Sequence, residues 1–255
     1  MWRLRSPATS TAWVLLALEG AGFSELSQGK MKGRDVGAGV RSGLEWLISK
    51  QDADGAFDKH NAAANALATL VLTEYYGMTT KRKEPAEKAY ALVDKADITD
   101  VAGRIRQGMV LQSGKLSEIG QGHEAKILAL AEALDKEKGD LARWGSLLLK
   151  GFALHGKPQK PAVEFKPLDL AKVPLEALNV FASASYILGD QELWHDWFRG
   201  LAGVLVPLQR VEEKVCEAGS WDAETFRDRV RATAIRIFTL QHYHCFYCRN
   251  PFRKR

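Results

Sequence analysis

Apolar residues in this chain gather in blocks of about sixteen, at 7–21, 61–77, 121–135, 174–189 and 229–244. Each block is alanine-rich and apolar on nearly every side. A helix without a polar face is stable only when neighbours cover most of its circumference. The blocks therefore predict five buried helices. Between them, at 37–50, 84–95, 139–150 and 191–206, apolar residues recur at steps of three and four. In the first of these, Val40, Leu44, Leu47 and Ile48 share a face, with Arg41, Glu45 and Ser49 between them. That period predicts outer helices with one side turned inward. Pro85 falls in a first turn, where its missing N–H would lack a helical partner anyway. No stretch alternates with period two for long, and β-branched runs are scarce, so the expected fold class is all-α.

The buried blocks recur every 45–60 residues or so, which pairs each with an outer helix into a hairpin of repeating type. Glycines punctuate the junctions: Gly20, Gly77, Gly120, Gly122, Gly139, Gly156 and Gly189. Two connections break the rhythm. Residues 98–120 are polar and glycine-spaced, and 156–173 hold three prolines. Both read as long connections, the second as an extended loop bridging two hairpins or, alternatively, a domain linker. No shift in composition marks a second domain, so 1–255 is expected to be a single repeat domain.

Charge changes the picture at one end. The net charge is +5, yet 227–255 carries eight basic residues against Asp228 alone, a local +7. A basic end can recruit acidic lipid, nucleic acid or a pyrophosphate. A solvated face with a frayed tail at 249–255 is the preferred reading, and nucleic acid is not the expected partner. Three cysteines, Cys216, Cys245 and Cys248, are too few for a disulfide framework and suit a reducing, cytoplasmic setting. No apolar run approaches the ~18 residues of a membrane span. Arg3 and Arg5 before the block 12–18 resemble the start of a signal segment. Glu19 closes that block without a cleavage pattern, so an inner helix is the better reading.

Two stretches share a grammar. In 43–57, Trp46 and Leu47 end an outer helix, Gln51 follows, Gly55 turns the chain and Phe57 closes. In 201–222, Val204 and Leu205 precede Gln209 at the same offsets, and Gly219-Ser220-Trp221-Asp222 follows a nine-residue insertion. A glutamine at a helix end can bond orphan backbone groups, and glycine permits a positive φ. These residues resemble the QW repeats of squalene–hopene cyclases and of the terpenoid-cyclase and protein-prenyltransferase superfamily. The C-terminal third, with Trp194, Trp197, Leu205 to Gln209, Gly219 to Asp222 and Thr233 to Tyr247, is similar to prenyltransferase/squalene-oxidase repeat proteins. The resemblance spans 7–80 and 174–247. It implies an α/α toroid, inner helices ringed by outer ones. Closed members have six hairpins and about five are counted here. The ring is therefore expected to be open, or the chain to be part of a longer one, with an edge suited to a protein partner or a second copy.

The catalytic groups that the resemblance would imply do not match. Cyclases of this kind protonate an alkene from an Asp-x-Asp-Asp cluster. Asp52-Ala53-Asp54 and Asp97-Ile98-Thr99-Asp100 lack its third carboxylate, and turn or N-cap roles suit them better. Prenyltransferases hold zinc through Asp, Cys and His. The weak candidates here are His242, His244, Cys245 and Cys248, which on one helix divide between two faces, so core packing is preferred to a metal. His60, His123, His155 and His195 have no neighbours that would form a dyad. Asn61, Asn65, Thr69 and Thr73 form a row on an otherwise apolar helix, repeated briefly by Asn179 and Ser183. They are the candidates for a ligand-lined lumen, against the alternative of bonding their own backbone. No cofactor is expected. The reading preferred is a non-catalytic toroid protein that binds a protein partner or an apolar, isoprenoid-like ligand. An isoprenoid-processing enzyme and a basic membrane- or nucleic-acid-associated scaffold are the alternatives.

Overall fold

The computed structural model describes residues 7–120, 123–154, 173–188, 191–212, 218–223 and 225–241. Within them the chain is all-α. In order the helices are α1 (Pro7–Gly20), α2 (Val36–Ser49), α3 (Ala62–Thr79), α4 (Lys83–Lys95), α5 (Val101–Leu116), α6 (Glu124–Asp135), α7 (Asp140–Ala153), α8 (Leu175–Leu188), α9 (Gln191–Leu205) and α10 (Phe226–Leu240). A two-residue antiparallel hairpin, β1 (Lys30–Met31) with β2 (Arg34–Asp35), leads into α2.

Six helices form a closed ring. Helix α1 packs on α3, α3 on α5, α5 on α7, α7 on α8, α8 on α10, and α10 on α1. Helices α2, α4, α6 and α9 pack outside it. Burial follows that division. Every residue of α3 from Ala63 to Tyr75 is buried, and every residue of α8 from Ala177 to Leu188. Outer helices bury a single stripe, such as Val40, Leu44 and Leu47 of α2 or Ile127, Ala131 and Leu134 of α6. Removing one such leucine to alanine costs about 2–5 kcal/mol, because a cavity replaces it.

The ring helices begin at a common end. Arg106, in the second turn of α5, donates from Nη1 to the Ala63 carbonyl at the start of α3 (3.3 Å). Its Nη2 reaches Glu176 Oε2 at the start of α8 (2.9 Å). Arg231, near the start of α10, donates to the other oxygen of Glu176. One carboxylate thus ties α5, α8 and α10 together. A guanidinium and carboxylate held this way are hard to break singly, since a lone buried charge remains.

Three expectations need correction. Residues 101–116 are not a connection but the ring helix α5, started by Asp100, whose carboxylate accepts from Gly103 N–H (2.8 Å). Its glycines permit close approach: a Cβ on Gly108 would lie 2.3 Å from Leu149, and one on Gly114 2.1 Å from the Tyr90 ring. Its Gln107 donates to the carbonyls of Val93 and Ala96, which end α4 (2.7 and 2.8 Å). One more ring helix at this point inverts the expected parity of the next two. Helix α6, expected inside, lies outside; α7, expected outside, buries Trp144, Leu148, Leu149 and Phe152 in the ring. Finally, the ring is not open. Trp13 of α1 meets Phe238 of α10 edge to face at 6.1 Å, and Gly20 leaves room for Phe238 and Gln241. No described helix is long and apolar enough to cross a membrane.

Candidate functional site

The two glutamine stretches fold alike. Gln51 Nε2 donates to the Gly55 carbonyl (3.4 Å) and across to Pro85 of α4 (3.0 Å). Gln209 Nε2 donates to the Gly219 carbonyl (2.6 Å). Gly55 and Gly219 both have positive φ, +95° and +85°, which glycine adopts without steric cost. The second clasp buries Trp221, whose Nε1 donates to the Leu205 carbonyl (2.7 Å) while its N–H reaches Thr233 Oγ1 (3.2 Å).

The candidate aspartates serve local turns and caps. Asp52 Oδ1 accepts from the N–H groups of Asp54 and Ala56 (3.0 Å each). The Ala56 bond leads in holding that carboxyl below its ordinary range. Asp100 is the N-cap of α5, as described above, and Asp97 lies in the segment before it.

The polar row is likewise engaged internally. Asn61 caps α3 by accepting from Ala64 N–H (2.9 Å). Asn65 accepts from Phe57 and Asp58 N–H (2.8 and 2.9 Å) and donates to the Asp58 carbonyl (2.8 Å), which fixes the exit of the first clasp. Thr69, Thr73 and Ser183 donate to backbone carbonyls of their own helices. Asn179 donates to Thr239 of α10 (3.2 Å). Of these six, Asn179 borders the ring's central void and Asn65 a separate outer cleft; the row is not gathered around a roomy lumen. The central void measures about 20 Å³ between Trp13, Leu67, Met109, Asn179 and Phe238, about enough for one water. Side chains fill the lumen. His242, His244, Cys245 and Cys248 lie outside the described residues, among which no cluster of three or more His, Cys, Asp or Glu could hold a metal.

A roomy cavity lies instead at the rim, where the ring helices begin. It measures about 600 Å³, within the usual range for small-molecule sites. Val101 of α5, Leu141 and Ala142 of α7, Leu175 and Ala177 of α8, and Ala232 and Ile235 of α10 give it an apolar wall. Glu176, Arg231 and Arg236 stand on that wall, with Lys138, Asp140, Asp222 and Asp228 toward its edge. The acids are mostly engaged. Glu176 is shared by Arg106 and Arg231. Asp222 pairs with Arg210 (2.7 Å), and Asp228 accepts from the Thr225 hydroxyl (2.6 Å).

Arg236 is different. Its guanidinium lies over the Trp221 ring, 5.9 Å from the centroid. Its Nε and Nη1 are buried with no hydrogen-bond partner. Burial loosens its hold on the proton relative to an ordinary arginine, but a guanidinium stays charged in any protein environment. The aromatic of the second clasp therefore carries a cation into the cavity wall. Sequence reading missed this site. The available signal was Arg231 and Arg236 inside a block otherwise apolar enough to be buried, where they were counted with the basic end. Compared with protein-family models, with curated proteins and with solved structures, the chain matches none.

Proposed function

We propose that this chain is a helical-ring binding protein of the squalene-cyclase/prenyltransferase-like toroid type, which holds an apolar small molecule in its rim cavity without transforming it. The observation that carries this is the contrast between a lumen filled by side chains and a rim cavity of about 600 Å³ with an apolar wall. A preformed apolar cavity with a few convergent polar groups is the usual form of a small-molecule site. The family side of the reading is supported by the closed ring and by two clasps that share one amide-to-glycine bond. Of the carboxylates that line it, Glu176, Asp222 and Asp228 are each engaged by a neighbour, which favours binding without chemistry.

The test is titration with a neutral environment-sensitive dye such as Nile red, followed by displacement. Wild-type protein is expected to bind it saturably. Ala232→Trp and Leu141→Trp, which place an indole in the cavity from two different helices, are expected to weaken binding about tenfold or more while leaving far-ultraviolet circular dichroism intact. Unchanged binding in both folded variants would remove the cavity from the proposal. Turnover of squalene or a prenyl diphosphate, abolished by Asp140→Asn or Asp228→Asn, would replace it with the enzymatic alternative.

A further inference from the structure

The cavity carries a more specific message about its occupant, which rests on the small-molecule reading above. A guanidinium is the most demanding hydrogen-bond donor in a protein, with five N–H groups and no acceptor. Leaving buried donors unmet costs more than an ordinary hydrogen bond contributes, and more again for a charged group. Arg236 keeps two buried nitrogens unmet, and three of the four carboxylates of the lining, Glu176, Asp222 and Asp228, are engaged by Arg106, Arg231, Arg210 and Thr225. Trp221 fixes the guanidinium from one face but offers its π-electrons, not a lone pair. Helix starts add positive ends to the same wall, each already facing an acid of its own first turn, Asp140, Glu176 or Asp228. Helix α7 starts at Gly139 with no side-chain cap, and its first residues, Asp140 to Ala142, line the cavity. The starts of α8 and α10 border it too.

We infer that the rim cavity takes an amphipathic ligand with an anionic oxygen head, a carboxylate or a phosphate, seated on Arg236, and an apolar body against Leu141, Ala232 and Ile235. Among the described residues no carboxylate pairs with Arg236 where it lines the cavity, and an oxyanion head would supply the counter-charge through charge-assisted bonds to the guanidinium. Arg231, already committed to Glu176 through its Nη2, lines the same cavity five residues earlier on the helix.

The experiment compares dodecanoate, dodecyl phosphate and dodecanol by calorimetry against wild type, Arg236→Met and Arg236→Lys. Expected is binding of one or both anions about ten- to a hundredfold tighter than dodecanol, weakened by salt. The Arg236→Met variant should lose that preference, and Arg236→Lys should restore part of it. Whichever anion is tighter identifies the head. Equal affinity for dodecanol and the anions, or an anion preference unchanged in Arg236→Met, overturns the inference and leaves the apolar cavity standing. Failure of all three to bind overturns the cavity reading and the inference with it.

Discussion

Glu19 stands in the last turn of α1, 3% exposed, and neither of its carboxyl oxygens has a hydrogen-bond partner. Burial foremost, and then the buried carboxyl of Glu74 on α3, pushes its pKa well above the ordinary value near 4.5. The negative end of α1 works in the same direction. In the folded state Glu19 therefore keeps a proton that the unfolded chain releases. The folded form binds more protons than the unfolded one, so stability is greatest below the ordinary value and falls as pH rises toward the folded pKa. The loss runs at about 1.4 kcal/mol per pH unit across that window. Glu19→Gln mimics the protonated form and is expected to flatten the slope and raise the melting temperature at neutral pH. Denaturant unfolding at pH 5 and pH 8 checks this, and parallel pH profiles for the two proteins would count against it. A raised carboxyl is a weak acid, the opposite of what alkene protonation requires.

Among the elements, α5 shows where a sequence stops being legible. Helices with one apolar stripe announce themselves, and α2 and α4 fall where Val40, Leu44 and Leu47, or Ala86, Ala89 and Val93, place them. Continuous apolar blocks such as α3 and α8 are equally plain. Helix α5 imitates a loop because glycines, amides and Arg106 are mixed among its inward apolar residues, Ile105, Met109, Val110 and Leu111. Gly108 and Gly114 are small so that Leu149 and Tyr90 can lie against bare backbone, and Gln107 is polar because it closes the end of α4. That information resides in neighbours distant along the chain. Gly114→Ala, whose methyl would lie 2.1 Å from the Tyr90 ring, is expected to destabilise by about 1–3 kcal/mol. Gly39→Ala, with nothing within 4 Å on the exposed side of α2, is expected to stabilise by about 0.5–1 kcal/mol. Paired thermal melts decide, and a neutral Gly114→Ala would mean that the α4–α5 contact is looser than described. The rim site was hidden for a similar reason. Arg236 is ordinary in composition and becomes singular only once Trp221 and the packed wall surround it.

At the scale of the whole molecule, ring closure was invisible to pattern reading, because the contact of Trp13 with Phe238 joins residues 225 positions apart. Trp13→Ala is expected to cost about 3–5 kcal/mol and to raise hydrogen exchange first in α1 and α10, read by mass spectrometry. A uniform rise across all helices would show that this joint does not open separately. Every other joint of the ring is also tethered by the chain running from one ring helix to the next. The joint between α1 and α10 has no such tether and acts as a buckle. Holding it shut against chain entropy is not expensive, since a fivefold longer span costs only about 1.4 kcal/mol more. Its meaning is for coupling. Helix α10 carries both Phe238, which fastens the buckle, and Arg236, which stands in the cavity wall. A ligand that needs Arg236 in place binds the fastened form in preference to the sprung one, so occupancy and closure draw on the same free energy.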